Sequence, residues 1–459
     1  MVSKTGFCAL LFVLLSGSTA FAAGFKLKSV LPADSGVRSV ALADLNHDGK
    51  LDLAVASYLS DNTVSVQLGN GDGTFQPVIR YGVGTQPYAV AASDLNLDGN
   101  LDLVVANELD DSVSVLLGNG DGTFQSQMVY STGDQPVDLA LGDVNGDGIP
   151  DIAVASIGVA ILLGNGDGTF QPYSDVFSPG AYSVAFADLN NDGRLDLAIG
   201  TSLGSAGQVQ ILLGKGEGSF QTGGNYSLQT ATPYSIVAGD LNHDGAPDLA
   251  VTTFFLGIDV LIGHGNGSFR PPVSYSTPSS SYGIATADFN RDSNLDIAAG
   301  DFDSTSYVSV FSGKGDGTFS PAVNYLTGSG NADSVASGDL NGDGSPDLVV
   351  GHDTVTVSIL LNTGGTFIQP ISSSNPSRVG QSVTFSVQVK QSVPGTGVPT
   401  GTVTFKDGQR SAKATLVNGV ARFTTSKLTQ GAHTITAAYS GDINFNRNTA
   451  KPLLQVVNP

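Results

Sequence analysis

The side chains best suited to chemistry in this 459-residue chain are aspartates and asparagines that recur in one pattern. The pattern DxNxDGxxD, or a one-residue variant of it, occurs seven times at intervals of 45 to 52 residues. In the first copy, Asp44, Asn46, Asp48 and Asp52 occupy loop positions 1, 3, 5 and 9, and Gly49 at position 6 permits a sharp reversal. Oxygen ligands at this spacing suit a hard divalent cation. The pattern therefore predicts calcium sites.

The seven predicted calcium loops share these four oxygen-bearing positions. Their residues are Asp44, Asn46, Asp48 and Asp52; Asp94, Asn96, Asp98 and Asp102; Asp143, Asn145, Asp147 and Asp151; Asp188, Asn190, Asp192 and Asp196; Asp240, Asn242, Asp244 and Asp248; Asp288, Asn290, Asp292 and Asp296; and Asp339, Asn341, Asp343 and Asp347. Three converging carboxylates repel one another unless a cation or solvent lies between them. A single copy also fits a solvated Asx turn, because Asp, Asn and Gly favour tight turns. Seven copies favour metal, and we expect up to seven structural Ca²⁺ ions.

A helical calcium loop is excluded, because it needs a bidentate carboxylate at position 12 and a helix on each side. Position 12 carries an apolar residue in every copy, such as Val55 in the first and Val350 in the last. Each loop is followed by a short apolar run that is rich in β-branched residues. The acidic loops are therefore predicted to join β-strands.

The charge balance follows from these loops. The net charge is −21, and the loops hold 21 of the 41 acidic residues, so seven divalent ions would leave about −7. The sequence shows no cluster of lysine and arginine of the kind that binds a nucleic-acid backbone. We expect no nucleic-acid partner.

Residues 1–22 are predicted to be an export signal. Lys4 precedes an apolar stretch from Phe7 to Leu15, and a small-x-small cleavage site follows at 20–22. The stretch is shorter than the roughly 20 residues that span a membrane. The lone cysteine, Cys8, lies inside this signal, so the mature protein is predicted to lack disulfides. We expect a protein that is secreted or at the cell surface and does not span the membrane.

Each repeat is predicted to contain four strands. In the first repeat these are residues 39–43, 53–57, 64–68 and 75–81, with a glycine-rich GxGxGxF turn that ends at Phe75. The turn recurs around Phe124, Phe170, Phe220, Phe269 and Phe319, with a degenerate copy at 364–367. Seven units of four strands predict an all-β fold, a seven-bladed β-propeller. A strand at residues 25–30 is expected to complete the seventh blade.

Strand, acidic loop, strand and glycine-rich hairpin resemble the FG-GAP and VCBS repeats over residues 25 to about 368. The best known members of that family form the seven-bladed propeller of integrin α subunits. The resemblance implies calcium between the first two strands at one face of the propeller and partners at the opposite face. One loop departs from the pattern, because Ser293 stands where glycine is expected. A left-handed serine costs on the order of 1 kcal/mol, so the sixth site is expected to bind most weakly.

The acidic loops stop near residue 371, and alternating strands typical of a β-sandwich continue to the C terminus. This region resembles bacterial Ig-like repeat domains, which usually serve as spacers or adhesive units. The predicted organisation is a signal peptide at 1–22, the propeller at 24–368 and an Ig-like sandwich at 371–459.

Catalytic motifs are not evident, so we predict that the chain is not an enzyme. The sequence has no nucleophile elbow, phosphate loop or zinc signature. Five histidines follow no shared plan and are interpreted as solvent-exposed.

A candidate ligand face comes from the residues six positions before each leading aspartate. Four of these seven are tyrosines, Tyr88, Tyr182, Tyr234 and Tyr282, and the others are Arg38, Val137 and Asp333. They are expected to ring the central channel opposite calcium, where they could grip a partner or stack on a sugar. Packing between blades explains them as well. The predicted function is binding or adhesion to an extracellular protein or glycan, with a lectin-like propeller or a polysaccharide-degrading enzyme as alternatives.

Overall fold

Short β-strands joined by tight turns make up nearly all of the structure. The computed structural model describes residues 24–459 except 60–61, 177–179, 204–205, 229–231, 255–256, 303–305, 329, 364–365, 392–397, 409, 442–447 and 451. The predicted export signal at 1–22 lies outside the described residues. One short 3-10 helix is described, Glu108–Asp110. Among the described residues, no helix is long and apolar enough to cross a bilayer.

Seven four-stranded antiparallel sheets form the blades of a propeller, as predicted. Their strands are Val37–Ala43, Asp52–Ser57, Thr63–Gln67 and Ile79–Gly82 in blade 1; Pro87–Ser93, Asp102–Asn107, Ser112–Leu116 and Met128–Ser131 in blade 2; Asp138–Gly142, Asp151–Ala155, Val159–Leu162 and Ser174–Val176 in blade 3; and Ala181–Ala187, Asp196–Leu203, Ala206–Gly214 and Phe220–Ser227 in blade 4. Blade 5 has Pro233–Gly239, Asp248–Thr253, Gly257–Leu261 and Val273–Tyr275; blade 6 has Ser280–Ala287, Asp296–Phe302, Tyr307–Phe311 and Val323–Leu326; and blade 7 has Ala332–Gly338, Asp347–His352, Thr356–Asn362 and Phe25–Pro32.

The sequence of each blade follows from its packing. The two faces of each sheet pack against the two neighbouring blades. The second strand of each sheet is therefore buried on both faces, and Asp102–Asn107 and its equivalents are apolar runs without alternation. The fourth strand, such as Met128–Ser131, alternates between half-buried and exposed residues because it forms the outer edge. Between blades, a fourth-strand tyrosine meets the turn phenylalanine of the next blade edge to face, as Tyr81 meets Phe124 at 5.3 Å.

The N-terminal strand closes the ring, as predicted. Phe25–Pro32 pairs antiparallel with Thr356–Asn362, from Phe25 opposite Asn362 to Pro32 opposite Thr356. The Phe25 ring is buried and meets Tyr325 edge to face at 5.3 Å, the same geometry as the Tyr81 and Phe124 pair. Phe25 thus takes the place of a turn phenylalanine in the seventh blade.

The last propeller strand in chain order is Thr356–Asn362, a few residues before the predicted boundary at residue 368. Thr366–Ser372 is a strand that pairs with Val383–Gln391 in the C-terminal sandwich, not with blade 7. The last two residues of the apparent seventh GxGxGxF turn, Thr366 and Phe367, therefore belong to a sandwich strand, and its glycines at 364–365 lie outside the described residues. The turn is not needed, since Phe25 already fills its position.

The C-terminal region is a β-sandwich. One sheet contains Thr366–Ser372, Val383–Gln391 and Val420–Thr425. The other contains Ser377–Arg378, Leu453–Asn458, Gly431–Tyr439, Thr402–Asp407 and Arg410–Thr415, with Asn448–Thr449 beside Gly431–Tyr439. Inward-facing side chains such as Phe385, Val387, Phe405 and Ile435 form one apolar core.

We expect that replacing Phe25 by alanine lowers the free energy of unfolding by about 3 kcal/mol, because a buried ring is lost at the closure. Leu27→Ala is the matched control, since Leu27 lies in the same strand but is 37% exposed. Urea unfolding of both variants measures the effect. Equal stability of the two variants would show that the strand does not lock the ring.

Candidate functional site

The first three oxygen-bearing positions of each acidic loop are held together by backbone N–H groups. In the first loop, the Asp48 N–H donates to Asp44 Oδ1 at 3.1 Å and to Asn46 Oδ1 at 2.9 Å. The Gly49 N–H donates to Asp44 Oδ2 at 2.8 Å. The other six loops repeat these contacts within 2.7 to 3.2 Å. The structure thus brings positions 1, 3 and 5 together at the solvent-facing end of every blade.

The aspartate at position 9 has a role that the sequence analysis missed. Asp52 is fully buried, and its carboxylate accepts hydrogen bonds from the Leu45 N–H at 2.9 Å and the Gly69 N–H at 2.7 Å. The carboxylate therefore joins the acidic loop to the start of the glycine-rich hairpin. The other six position-9 aspartates are equally buried: Asp102, Asp151, Asp196, Asp248 and Asp296 make the same two bonds, and Asp347 accepts from the Leu340 N–H and from the Asn362 N–H at the end of the third strand of blade 7. We call these seven residues the latch aspartates.

The carboxylates of the acidic loops also raise the pKa of the latch aspartates. Burial raises the pKa of Asp248 to about 6, against the lowering effect of two N–H donors, and the nearby Asp244 and Asp240 carboxylates raise it as well. The pKa of Asp347 is raised to about 7 for the same reasons. The carboxylates at positions 1, 5 and 9 are thus close enough to repel one another.

The donor set of each loop fits a hard cation. The predicted ligands are all oxygens, and positions 1, 3 and 5 are already gathered. Among the described residues, however, no three carboxylate, histidine or cysteine side chains alone form a metal cage. A cation in the first loop would therefore be held by Asp44, Asn46 and Asp48, with the free lone pairs of Asp52 and water. Its charge would relieve the repulsion among the carboxylates.

Two positions of each loop adopt left-handed backbone. Position 6 has positive φ in every copy, including Ser293 at 71°, which confirms the strain predicted there. Position 4 is also left-handed, although it is His47, Leu97 or Arg291 in three of the loops.

The His47 ring reaches the next loop, with Nε2 3.0 Å from Asn100 Oδ1, and His243 contacts Asn294 in the same way.

Hydrogen bonds to position 2 of the acidic loops connect neighbouring blades. The Leu45 carbonyl accepts a bond from the Gly122 N–H in the hairpin of the next blade at 3.1 Å. Across the closure, the Gly73 N–H donates to the Leu340 carbonyl at 3.0 Å. The acidic loops are therefore part of the contacts that hold the ring together.

The channel residues lie together at the opposite end of the propeller. Arg38, Tyr88, Val137, Tyr234, Tyr282 and Asp333 line one cavity of about 190 Å³. Tyr182 is 40% exposed, and its ring meets the Tyr234 ring edge to face at 6.3 Å. The structure therefore brings the predicted ligand face together.

The tyrosines of this face pack mainly on other aromatic rings. Tyr282 lies between Tyr234, with ring centroids 3.9 Å apart, and Phe302 at 4.5 Å. Tyr88 meets Tyr58 edge to face at 6.0 Å. Both faces of the Tyr282 ring are covered, which favours packing over stacking on a sugar at this position.

An ion pair lies at the centre of the channel face. The Arg38 guanidinium pairs with Asp333 and lies 5.5 Å from the ring centroids of both Tyr58 and Tyr88. Burial raises the pKa of Asp333 to about 7, against the lowering effect of Arg38. Within the described residues, Asp333 Oδ1 and Arg38 Nε are buried without a hydrogen-bond partner. An unpaired acceptor and an unpaired donor are thus buried beside the cavity.

The prediction that the five histidines are solvent-exposed is wrong for His352 and His433. His352 is fully buried, with Nε2 2.8 Å from Ser358 Oγ, and its pKa is lowered by burial. His433 Nδ1 lies 2.9 Å from Asp407 Oδ2 in the sandwich. A buried histidine within an otherwise apolar strand gives no signal in the sequence that distinguishes it from an exposed one.

We expect that Asp151→Ala lowers the free energy of unfolding by about 3 kcal/mol in calcium-free buffer. The substitution leaves the buried Val144 and Gly164 N–H groups without acceptors, at about 1–3 kcal/mol each. Asp147→Ala, in the exposed part of the same loop, should change stability by less than about 1 kcal/mol. Urea unfolding in chelator checks both, and an equal loss would contradict a latch that acts without metal.

Comparisons with known proteins agree with this architecture. The FG-GAP-like repeat profile matches residues 44–105, 94–154, 156–199, 200–251 and 288–350, and the bacterial Ig-like domain (group 3) profile matches residues 371–458. No match was found among curated proteins. A crystal structure of BBS1N in complex with ARL6DN, soaked with lead, is similar over 74% of this chain and 97% of its own, with a TM-score of 0.51. At 12% identity this likeness concerns the fold alone. Because the repeat profile covers more than half of its length, the chain belongs to the FG-GAP-like repeat family, with a C-terminal bacterial Ig-like domain.

Proposed function

We propose that this chain is a secreted or cell-surface module that binds an extracellular protein at the channel face of its propeller, with structural calcium in the acidic loops. FG-GAP-like repeats and Ig-like domains are characteristic of binding modules rather than of enzymes. The observation that carries the proposal is an arc of exposed apolar side chains beside the channel.

The apolar arc consists of Leu59, Leu109, Ile157 and Val355, which are 52% to 61% exposed. Each lies in the turn between the second and third strands of its blade, in blades 1, 2, 3 and 7. These blades are consecutive around the ring. The acidic loops join the first and second strands, so the apolar arc is at the opposite end, with the channel. Exposed apolar residues that recur on one face are typical of a protein-binding surface, whereas isolated ones are not.

The polar centre of the same face supports the proposal. The Arg38 side chain is 25% exposed, so its guanidinium can meet an acceptor on a partner, whereas the Asp333 side chain is 1% exposed and holds Arg38 in place. A charged contact at the centre of the face adds specificity, and an apolar rim excludes water from it. Protein interfaces combine these two features.

Calcium bound in the acidic loops would stabilise the folded propeller. In blades 1 to 6 each loop is linked to the glycine-rich hairpin of its own blade through the latch aspartate, so an ion bound by positions 1, 3 and 5 would hold the whole turn. An ion at 100 times its dissociation constant adds about 2.7 kcal/mol to stability. Several filled sites would therefore contribute a large part of the folding free energy.

We expect calcium titration to give up to seven sites, with the sixth the weakest because Ser293 is left-handed. Ser293→Gly should tighten that site and stabilise the calcium-free protein by on the order of 1 kcal/mol. Asp147→Ala should remove one ion, and Gly49→Ser is the reciprocal control that weakens the first loop. Calorimetric titration and thermal melting measure these changes. Absence of bound calcium at millimolar concentration would refute the metal assignment.

The binding proposal is tested with arrays of purified extracellular proteins and of glycans, probed in millimolar calcium. We expect the chain to bind protein targets on the array. The triple variant Leu59→Ser, Leu109→Ser and Ile157→Ser should lose this binding. The control is Val129→Ser, Val273→Ser and Val323→Ser, which removes residues that are 43% to 57% exposed from the outer strands. This control should retain binding.

Other results would favour the alternatives. Binding to glycans only, lost with Tyr182→Ala, would indicate a lectin-like propeller. Turnover of a bound glycan would indicate a polysaccharide-degrading enzyme. Equal loss in both triple variants would show that the apolar arc is not the binding surface.

A further inference from the structure

The C-terminal sandwich has the opposite charge to the rest of the chain. Residues 366–459 contain nine lysines and arginines and two aspartates, a formal charge of +7 in a chain of −21 overall. The positive charge is therefore not a general property of this protein. It is local to the sandwich, which contains none of the acidic loops.

An open slot lies between the two sheets of the sandwich. Its sides are formed by Arg410–Thr415 and Val420–Thr425, which are the edge strands of their sheets in the described part of the chain. The slot has a volume of about 280 Å³ and reaches the rings of Phe385, Phe405 and Phe423 in the core. A dry apolar cavity of about 150 Å³ is already large enough to bind benzene. This slot is large enough for a bicyclic aromatic group or a medium-length alkyl chain.

The mouth of the slot is positively charged. Arg410 and Lys427 line it and are exposed. Arg410 Nη1 donates to the Lys427 carbonyl at 2.9 Å, which holds the guanidinium beside the opening. The carboxylate at the mouth, Asp407, is engaged by His433 at 2.9 Å. Two cations thus lie beside one carboxylate that already has a partner.

We propose that this slot binds an amphiphilic anion, with its apolar body among the core phenylalanines and its carboxylate or sulfonate beside Arg410 and Lys427. Burial of the apolar body supplies most of the affinity, at roughly 25 cal/mol per Å². The cations select the sign of the head group, because a cationic amphiphile would place like charges together. The site is independent of the binding function proposed for the propeller.

The test uses the mature full-length chain and anilinonaphthalenesulfonate, a fluorescent amphiphilic anion, as the probe. We expect enhanced fluorescence that decanoate reverses at a concentration at least tenfold lower than decanol, its neutral counterpart. Decyltrimethylammonium should not displace the probe. Equal competition by all three compounds would overturn the proposal, because the mouth would then select no charge.

Two sets of variants locate the site. Arg410→Gln with Lys427→Gln should weaken decanoate binding about tenfold, whereas Lys413→Gln with Arg422→Gln should not. The second pair removes the same charge from exposed residues that do not line the slot. Ala412→Phe, which fills the slot from Arg410–Thr415, should abolish binding. Equal effects of the two charge pairs, or binding retained by Ala412→Phe, would overturn the assignment.

A final arm separates free amphiphiles from a lipid surface. The chain is mixed with vesicles of anionic phospholipid and with free decanoate. Binding of free decanoate in the absence of vesicles supports the slot. Binding to vesicles alone would mean that the sandwich is attracted to an anionic surface by its net charge, and would overturn the slot.

Discussion

A buried carboxylate at position 9 of every acidic loop is the contact on which the propeller depends. A charged group without solvent is costly unless it is hydrogen-bonded. Each latch aspartate meets this condition by accepting one N–H from its loop and a second from the end of the third strand, which is a hairpin glycine in blades 1 to 6 and Asn362 in blade 7. The bond continues between blades, because Asp52 holds the Leu45 N–H and the Leu45 carbonyl receives the Gly122 N–H of the next blade. The acidic loops therefore take part in the hydrogen bonds that connect neighbouring blades of the propeller.

The repeat period made most of the fold predictable. Seven copies of one motif fix the number of blades, and the spare strand at the N terminus indicates where the ring closes. The latch role was not predictable, because an aspartate that binds metal and one that accepts two N–H bonds look the same in a sequence. Local resemblance also misled at 364–367, because the last two residues of this glycine-rich motif lie in a sandwich strand. Alignment of the repeats predicted that the channel residues lie together. The packing of their tyrosine side chains depends on orientations that the sequence does not specify.

The two ends of the propeller differ in their physical character. One end gathers carboxylates and amides at fixed geometry, and the other combines a ring of tyrosines with a paired arginine and exposed apolar turns. Both ends are made from the same strands, since a four-stranded meander places alternate connections at opposite ends. Each blade can therefore keep a constant turn at one end for stability and vary its turns at the other. The irregular turns of blades 1, 2, 3 and 7 illustrate this division.

Closure by the N-terminal strand also has a consequence for assembly. The Thr363 hydroxyl donates to the Gly24 carbonyl, a contact between residues 339 positions apart in the chain. The first strand to be synthesised must wait, unpaired, until the last blade has been made. Blades 1 to 6 draw all their strands from nearby sequence and can form in order, whereas the seventh blade forms only when both ends of the ring meet. An incomplete chain would therefore leave an open arc with a free sheet edge, prone to pairing with another copy.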